Sequence, residues 1–182
     1  MAKNGGKTFE QQFQKSCEKQ GICCIRLVDS NKFNFGEGTR FTPDNICDFI
    51  CFDGNTLLLA ELKHTQGTSI SFNQPCDEKA QGTFMIKPKQ IQSLMKYVGY
   101  ENVKPMLILD YQDRINSKGE VTKGGTYAID IDTFVGWTRV VPKKSINMTD
   151  ACAIGIEIDR QKRLVNYNYD VMSLFDSLRN ID

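Results

Sequence analysis

Residues 46–63, with the sequence ICDFICFDGNTLLLAELK, decide the fold of this chain. The segment from Ile46 to Phe52 is an apolar run rich in residues that favour β-strands. Asp53-Gly54-Asn55 has the composition of a tight turn, and Thr56 to Lys63 is a second apolar run rich in leucine. The stretch therefore predicts two adjacent antiparallel strands joined by a short turn.

The alternation of side chains along the second strand separates polar from apolar residues. Glu61 and Lys63 project to the same face, because successive side chains of a strand point to opposite sides. Three residues of this strand point the other way, into a core: Leu58, Ala60 and Leu62. A short hairpin brings the start of its first strand beside the end of its second, so we expect the carboxylates of Asp48 and Glu61 to converge.

Two converging carboxylates followed by a lysine are typical of a metal-dependent hydrolase of phosphodiesters. Mg²⁺ prefers oxygen ligands and is held by one or two carboxylates, here Asp48 and Glu61, with Mn²⁺ as an alternative ion. Lys63 can stabilise negative charge on a phosphate. Asp44, in Pro43-Asp44, is an alternative first carboxylate, although Asp48 is favoured because it lies within the β-rich run. The plain alternative is a solvated ion pair at a strand end.

Several segments, taken in order along the chain, form a wider pattern. They are GKTFE at 6–10, Asp48 with Glu61-Leu62-Lys63, TSISF at 68–72, KQIQSLMK at 89–96, YAID at 127–130 with Phe134 and Trp137, KKSI at 143–146, and LVNY at 164–167. In this order the segments resemble the RecU-type Holliday junction resolvases of the PD-(D/E)xK nuclease superfamily.

This resemblance implies an α/β fold with a restriction-endonuclease-like core, in which helices flank a mixed central β-sheet in the order α-β-β-β-α-β. It implies a Mg²⁺-dependent endonuclease that acts as a homodimer on four-way DNA junctions. The metal-binding positions would be Asp48, Glu61 and Leu62. Glu10 on the first helix and Gln90 on the next helix would support catalysis with Lys63, although by sequence alone Glu10 and Gln90 are more typical of exposed helix positions.

Positive and hydroxyl-bearing residues near these segments are candidate DNA contacts, since such groups bind phosphates. They are Lys7, Arg40, His64, Thr68, Ser69, Lys87, Lys89 and Lys96, with Lys3 as a further candidate. His64 follows Lys63 and should face away from it, so we expect a phosphate contact rather than a general base. Taken singly, each lysine is also typical of a solubilising surface charge.

Two stretches depart from the resolvase pattern. Residues 29–45 read as a mobile connection and would be the remnant of a shortened stalk, a region that in the resolvases is proposed to enter the junction. Residues 73–86 read as an inserted loop. These departures keep a second substrate class open, namely nicked, flapped, single-stranded or restriction-like DNA, as well as a catalytically idle DNA-binding module.

The remaining elements follow from periodicity and from breaker residues. Phe9, Phe13 and Cys17 recur at helical spacing before Gly21, which predicts a helix over 6–20. The other expected elements are strands at 22–28, 106–110 and 126–131, a helix at 88–98, a hairpin of 155–159 with 164–169 around Arg160-Gln161-Lys162-Arg163, and a helix at 171–178.

Composition is that of an ordinary globular chain. With 182 residues, 40% hydrophobic, we expect a single nuclease domain spanning 1–182. A formal net charge of +1 gives no global basic excess. The seven cysteines include no CxxC motif, so reduced thiols and a cytoplasmic location are expected, and Cys47 and Cys51 should pack on one strand face as small apolar residues. No membrane association is indicated.

Overall fold

The computed structural model of the protein describes residues 5–27, 45–73, 84–115, 117 and 119–180. Within this part of the chain there are five helices: α1 (Gly5–Lys19), α2 (Pro88–Met95), α3 (Ile131–Val140), α4 (Met148–Ile154) and α5 (Val171–Arg179). The strands are β1 (Cys23–Arg26), β2 (Phe49–Phe52), β3 (Leu57–Thr65), β4 (Ser69–Ser71), β5 (Val103–Tyr111), β6 (Arg114–Ile115), β7 (Val121–Thr122), β8 (Gly125–Asp130), β9 (Ser145–Asn147), β10 (Ile156–Glu157), β11 (Arg160–Arg163) and β12 (Asn166–Tyr169).

A mixed central sheet organises these elements. Its six strands lie in the order β1-β2-β3-β5-β8-β10. The pair β3 and β5 is parallel, and the other neighbours are antiparallel. The parallel pair needs a crossover connection, and α2 lies in it. The mixed sheet and the order α-β-β-β-α-β confirm the predicted fold class, with the short strand β4 as an addition before α2.

Two hydrophobic cores cover the two faces of the sheet. The first core joins α1 and α5 to one face, through residues such as Phe13, Phe49 and Phe175. The second core joins α2, α3 and α4 to the other face, through residues such as Leu107 and Phe134. Leu58, Ala60 and Leu62 belong to the first core, as their alternation along β3 predicts. The sheet is thus a central layer between two helical layers.

The cysteines of the first hairpin differ from expectation. Cys47 lies in the second core, whereas Cys51 lies in the first core with Phe49. Regular strand geometry begins only at Phe49, so the alternation of faces does not extend back to Cys47. The prediction that both thiols share one face was therefore wrong.

The C-terminal hairpin also differs from expectation. Arg160–Arg163 was expected to form a turn, but it is strand β11 and pairs with β12. The turn falls at the next two residues, where Leu164 has a positive φ of 57°. The Arg160 side chain binds two aspartates, which holds this basic segment in place as a strand.

Helices α3 and α4 were not predicted. The strand expected to run to Ile131 ends one residue earlier, because the Asp130 side chain accepts hydrogen bonds from the backbone N–H groups of Asp132 and Thr133 and so caps α3. Asn147 caps α4 in the same way through the backbone N–H of Asp150.

Residues 29–44 of the connection and 74–83 of the insertion lie outside the described residues, as do Lys3, Arg40 and Asp44. Among the described helices, none has both the length and the apolar character needed to span a membrane.

Candidate active site

The β2–β3 hairpin brings Asp48 and Glu61 together. Its turn is closed by the Asp53 side chain, which accepts hydrogen bonds from the backbone N–H groups of Asn55 (2.9 Å) and Thr56 (2.8 Å). The backbone N–H of Asp48 donates to Ala60 O at 3.1 Å, so Asp48 is bound to β3 one residue before the regular β2–β3 register begins at Phe49 and Ala60. The carboxylates of Asp48 and Glu61 lie close enough to interact, and both residues line the same cleft.

The Asp48 carboxylate is held in place by the neighbouring strand. Its Oδ2 accepts a hydrogen bond of 2.8 Å from the backbone N–H of Leu62. This bond ties the carboxylate to β3, and it leaves Oδ1 as the oxygen that can bind a further partner. The position of Asp48 is thus set by backbone geometry rather than by a mobile side-chain contact.

Glu61 is only 2% exposed and receives two donors on one oxygen. Lys63 Nζ lies 2.5 Å from Glu61 Oε1, and the Gln90 side-chain amide donates to the same oxygen. Burial raises the pKa of Glu61 to about 7. The negative charge of Asp48 also raises this pKa, and the positive charge of Lys63 lowers it. The second oxygen, Oε2, is not used by these two bonds.

Helix α2 presents Gln90 to this carboxylate. Pro88 occupies the first turn, where its fixed φ suits a helix start, and Gln90 Oε1 accepts a hydrogen bond of 2.9 Å from the backbone N–H of Lys87. The amide is therefore fixed at both ends, with its oxygen on the helix start and its nitrogen on Glu61.

Asp48, Glu61 and Gln90 line one cleft of about 210 Å³. Its described lining residues are Asn45, Cys47, Asp48, Glu61, Lys87, Lys89, Gln90 and Ser93. Burial and the negative charges of Glu61 and Asp48 raise the pKa of the Cys47 thiol to about 12, so this thiol remains neutral. The donor set is therefore one of carboxylate oxygens.

That donor set fits a hard divalent cation. The bonds described above use Oδ2 of Asp48 and Oε1 of Glu61, so one oxygen of each carboxylate can bind an ion. The raised pKa of Glu61 indicates that two carboxylates in this buried position are electrostatically unfavourable without a cation. Mg²⁺ and Mn²⁺ both accept such oxygen ligands.

Glu10 is not among the described residues that line the cleft. It forms an ion pair with Arg26, the last residue of β1. Arg26 is opposite Phe49 in the sheet, so this ion pair lies one residue along the strand from Asp48. In this arrangement the charge of Glu10 is directed to Arg26.

The candidate DNA contacts occupy several different places. Lys87 and Lys89 are exposed and line the cleft, and Lys96 is exposed at the end of α2. Lys7 is exposed on α1. The two hydroxyl residues lie elsewhere: Thr68 is exposed before β4, and Ser69 is half-buried in β4, which pairs with β9.

His64 lies on the opposite face of β3 from Lys63, as its position in the strand predicts, and belongs to a buried charged cluster. His64 Nδ1 is 2.7 Å from Asp110 Oδ2, and Asp110 Oδ1 accepts from Thr126 Oγ1 (2.6 Å) and Arg160 Nη1 (2.8 Å). Arg160 Nη2 also binds Asp113 at 2.8 Å. The sequence analysis missed this cluster, because its partners are far apart in the chain and carry no local signal.

Three comparisons place the chain among known proteins. No family model matches it. It is 28% identical over 189 residues to the SPbeta prophage-derived uncharacterized protein YotM of Bacillus subtilis (strain 168), and the match covers 97% of this chain and 88% of that protein. The structure is similar to that of Archaeoglobus fulgidus Hjc, a Holliday junction resolvase from an archaeal hyperthermophile.

The likeness to Hjc has a TM-score of 0.51 with 14% sequence identity, and it covers 84% of this chain and 95% of Hjc. At this identity the match concerns the fold. The chain therefore has a mixed α/β, restriction-endonuclease-like fold similar to that of Hjc.

Proposed function

We propose that the protein is a metal-dependent DNA endonuclease, and that it resolves Holliday junctions as a cytoplasmic homodimer of the RecU type. The fold similarity to a Holliday junction resolvase supports a nuclease of this architecture. The resemblance of the sequence segments to RecU-type resolvases supports the junction as substrate. Two equivalent sites related by a two-fold axis suit the cutting of two strands of a four-way junction.

The observation that carries the proposal is the arrangement around Glu61. The Asp48 carboxylate interacts with it in the same cleft, while Lys63 and Gln90 both donate to its Oε1. A buried carboxylate pair beside a lysine, in a cleft rimmed by Lys87 and Lys89, provides ligands for a cation and positive charge for phosphates.

Asp48 and Glu61 would hold the metal ion, which would supply Lewis-acid activation of the phosphate and of a water. Lys63 would place its ammonium next to the scissile phosphate and stabilise the negative charge that develops there. Gln90 would orient Glu61 through its amide N–H, and Lys87 and Lys89 would bind neighbouring phosphates.

A second substrate class has one observation in its favour. Only residues 29–45 are available for a stalk before the catalytic hairpin. A nuclease of this fold without a full stalk would act on nicked, flapped or single-stranded DNA instead. A catalytically idle module is disfavoured by the presence of Asp48, Glu61 and Lys63 together.

The test uses the purified chain with Mg²⁺, an immobile four-way junction and a linear duplex of the same sequence, each labelled at one 5′ end. The proposal expects paired nicks at symmetric positions in opposing arms of the junction and little cutting of the duplex. Asp48→Asn is the matched control, and we expect no nicks with it. Cutting of flaps or single strands in place of the junction selects the second class, and no metal-dependent cutting of any DNA refutes both.

A further inference from the structure

Three cysteine thiols meet on the α1 side of the sheet, away from the cleft. Cys17 comes from α1, Cys24 from β1 and Cys51 from β2, and their three Sγ atoms all lie within 4.8 Å of one another. Cys24 and Cys51 are direct partners in the β1–β2 ladder, and their Sγ atoms are 3.3 Å apart. Residues distant in the sequence therefore bring three sulfur atoms to one point.

We propose that Cys17, Cys24 and Cys51 form a binding site for a thiophilic d¹⁰ metal ion such as Zn²⁺. Zinc–sulfur bonds of about 2.3 Å place the sulfur atoms of one coordination sphere about 3.8–4.0 Å apart. Cys24 Sγ and Cys51 Sγ are 3.3 Å apart and no Sγ separation in the cluster exceeds 4.8 Å, so small rotations of the side chains are enough to close it around an ion.

The burial of the cluster suits a closed site with one entrance. Cys17 and Cys51 are fully buried in the first core. Cys24 is partly exposed, because β1 is the edge strand of the sheet. An ion can reach the sulfur atoms past Cys24, and a water can complete its coordination from the same side.

Metal binding by the cluster is coupled to proton release, because coordinating thiols are deprotonated. When Zn²⁺ binds the three thiols, three Zn–S bonds form, three S–H bonds break, and about three protons pass to the solvent.

This site differs in chemistry from the carboxylate cleft. Cys51 packs in the first core with Phe49, whereas the Cys47 thiol, which lines the cleft, lies in the second core. Three sulfur ligands select soft cations, while the oxygen ligands of the cleft select Mg²⁺ or Mn²⁺. The thiol site therefore goes beyond the proposed nuclease function and does not depend on it.

The first experiment titrates the full chain, reduced with a phosphine, with Cd²⁺ as the probe. A Glu61→Gln background weakens binding at the cleft. We expect a thiolate-to-metal charge-transfer band that saturates at one ion per chain, with release of about three protons in weakly buffered solution. If the reduced and folded chain shows no such band, the proposal is overturned.

Substitutions at two neighbouring cysteines provide a matched pair. Cys24→Ser should weaken Cd²⁺ binding more than about 100-fold, because a direct ligand matters at least as much as outer contacts whose loss costs about 10–100-fold. Cys23→Ser, at the adjacent exposed residue, should leave binding unchanged. Equal affinity in the two variants would overturn the proposal.

A measurement on the unmodified chain covers the case in which Cys24→Ser fails to fold. Iodoacetamide is added with and without one equivalent of Zn²⁺, and the labelled peptides are identified by mass spectrometry. Zn²⁺ should slow alkylation of Cys24 at least about 10-fold and leave the exposed Cys152 unaffected. Equal alkylation of Cys24 in both samples, or a Cys24–Cys51 disulfide in a chain whose reduced form binds no Cd²⁺, would contradict the metal site.

Discussion

The buried Glu61 makes the stability of the metal-free protein depend on pH, and Glu61→Gln isolates this effect. A glutamate has an ordinary pKa of 4.5, and in the folded chain burial raises the pKa of Glu61 to about 7. Because the folded-state pKa is the higher one, folding favours the protonated form. The contribution of Glu61 to stability is fully present below pH 4.5, declines as the pH rises, and is lost above about pH 7.

The difference between 4.5 and about 7 corresponds to about 3 kcal/mol. We therefore expect the free energy of unfolding of the wild type, relative to Glu61→Gln, to fall by about 3 kcal/mol between pH 4.5 and pH 9. The attraction of Lys63 acts only on the ionised carboxylate, so it is already contained in the pKa of about 7 and adds no separate pH dependence.

The assay is urea unfolding in the presence of a chelator and a reductant, at a series of pH values, for both proteins. A repetition with Mg²⁺ should remove most of the decline, since an ion bound to the carboxylate stabilises its charged form. Parallel pH profiles for the two metal-free proteins would refute the reasoning, because they would mean that the Glu61 carboxyl group is solvated in the native state.

Three further substitutions test the site and its support. Asp48→Asn keeps an oxygen that can accept the Leu62 N–H bond, so the chain should fold normally while junction nicking falls at least about 10-fold, and nicking near the wild-type rate would contradict its metal role. Lys63→Met should slow single-turnover nicking about 100-fold with unchanged junction binding in gel shifts, and an unchanged rate would make Lys63 a surface charge. Arg160→Met leaves Asp110, which is 3% exposed, without its guanidinium, so the free energy of unfolding should drop by about 3–5 kcal/mol in urea titrations, and a drop under about 1 kcal/mol would mean that the pair is solvated.

The sequence predicts those features of the candidate site that depend on residues close together in the chain. The hairpin that brings Asp48 beside Glu61 follows from the turn residues and from strand alternation, and in the structure β2 and β3 pair antiparallel. The proximity of Gln90 required the resemblance to a nuclease superfamily, because nothing in a helical glutamine indicates which side chain it binds.

Other features depend on contacts between distant parts of the chain. Arg160 binds Asp110 across a separation of 50 residues, so a run of basic residues that reads as a turn is held as a strand. Cys24 and Cys51 meet only because β1 pairs with β2. A pattern read along the chain contains no information on such pairings.

The row formed by His64, Asp110 and Thr126 runs across β3, β5 and β8 at one level of the sheet. A slip of β3 by one residue against β5 would move His64 away from Asp110 and turn its ring to the other face of the sheet. The contacts of this row therefore fix the register of β3 against β5. Since Lys63 precedes His64 on the same strand, the row also fixes the positions of Glu61 and Lys63 on the other face of the sheet. A substitution within the row can therefore displace the candidate metal ligand Glu61 without touching it.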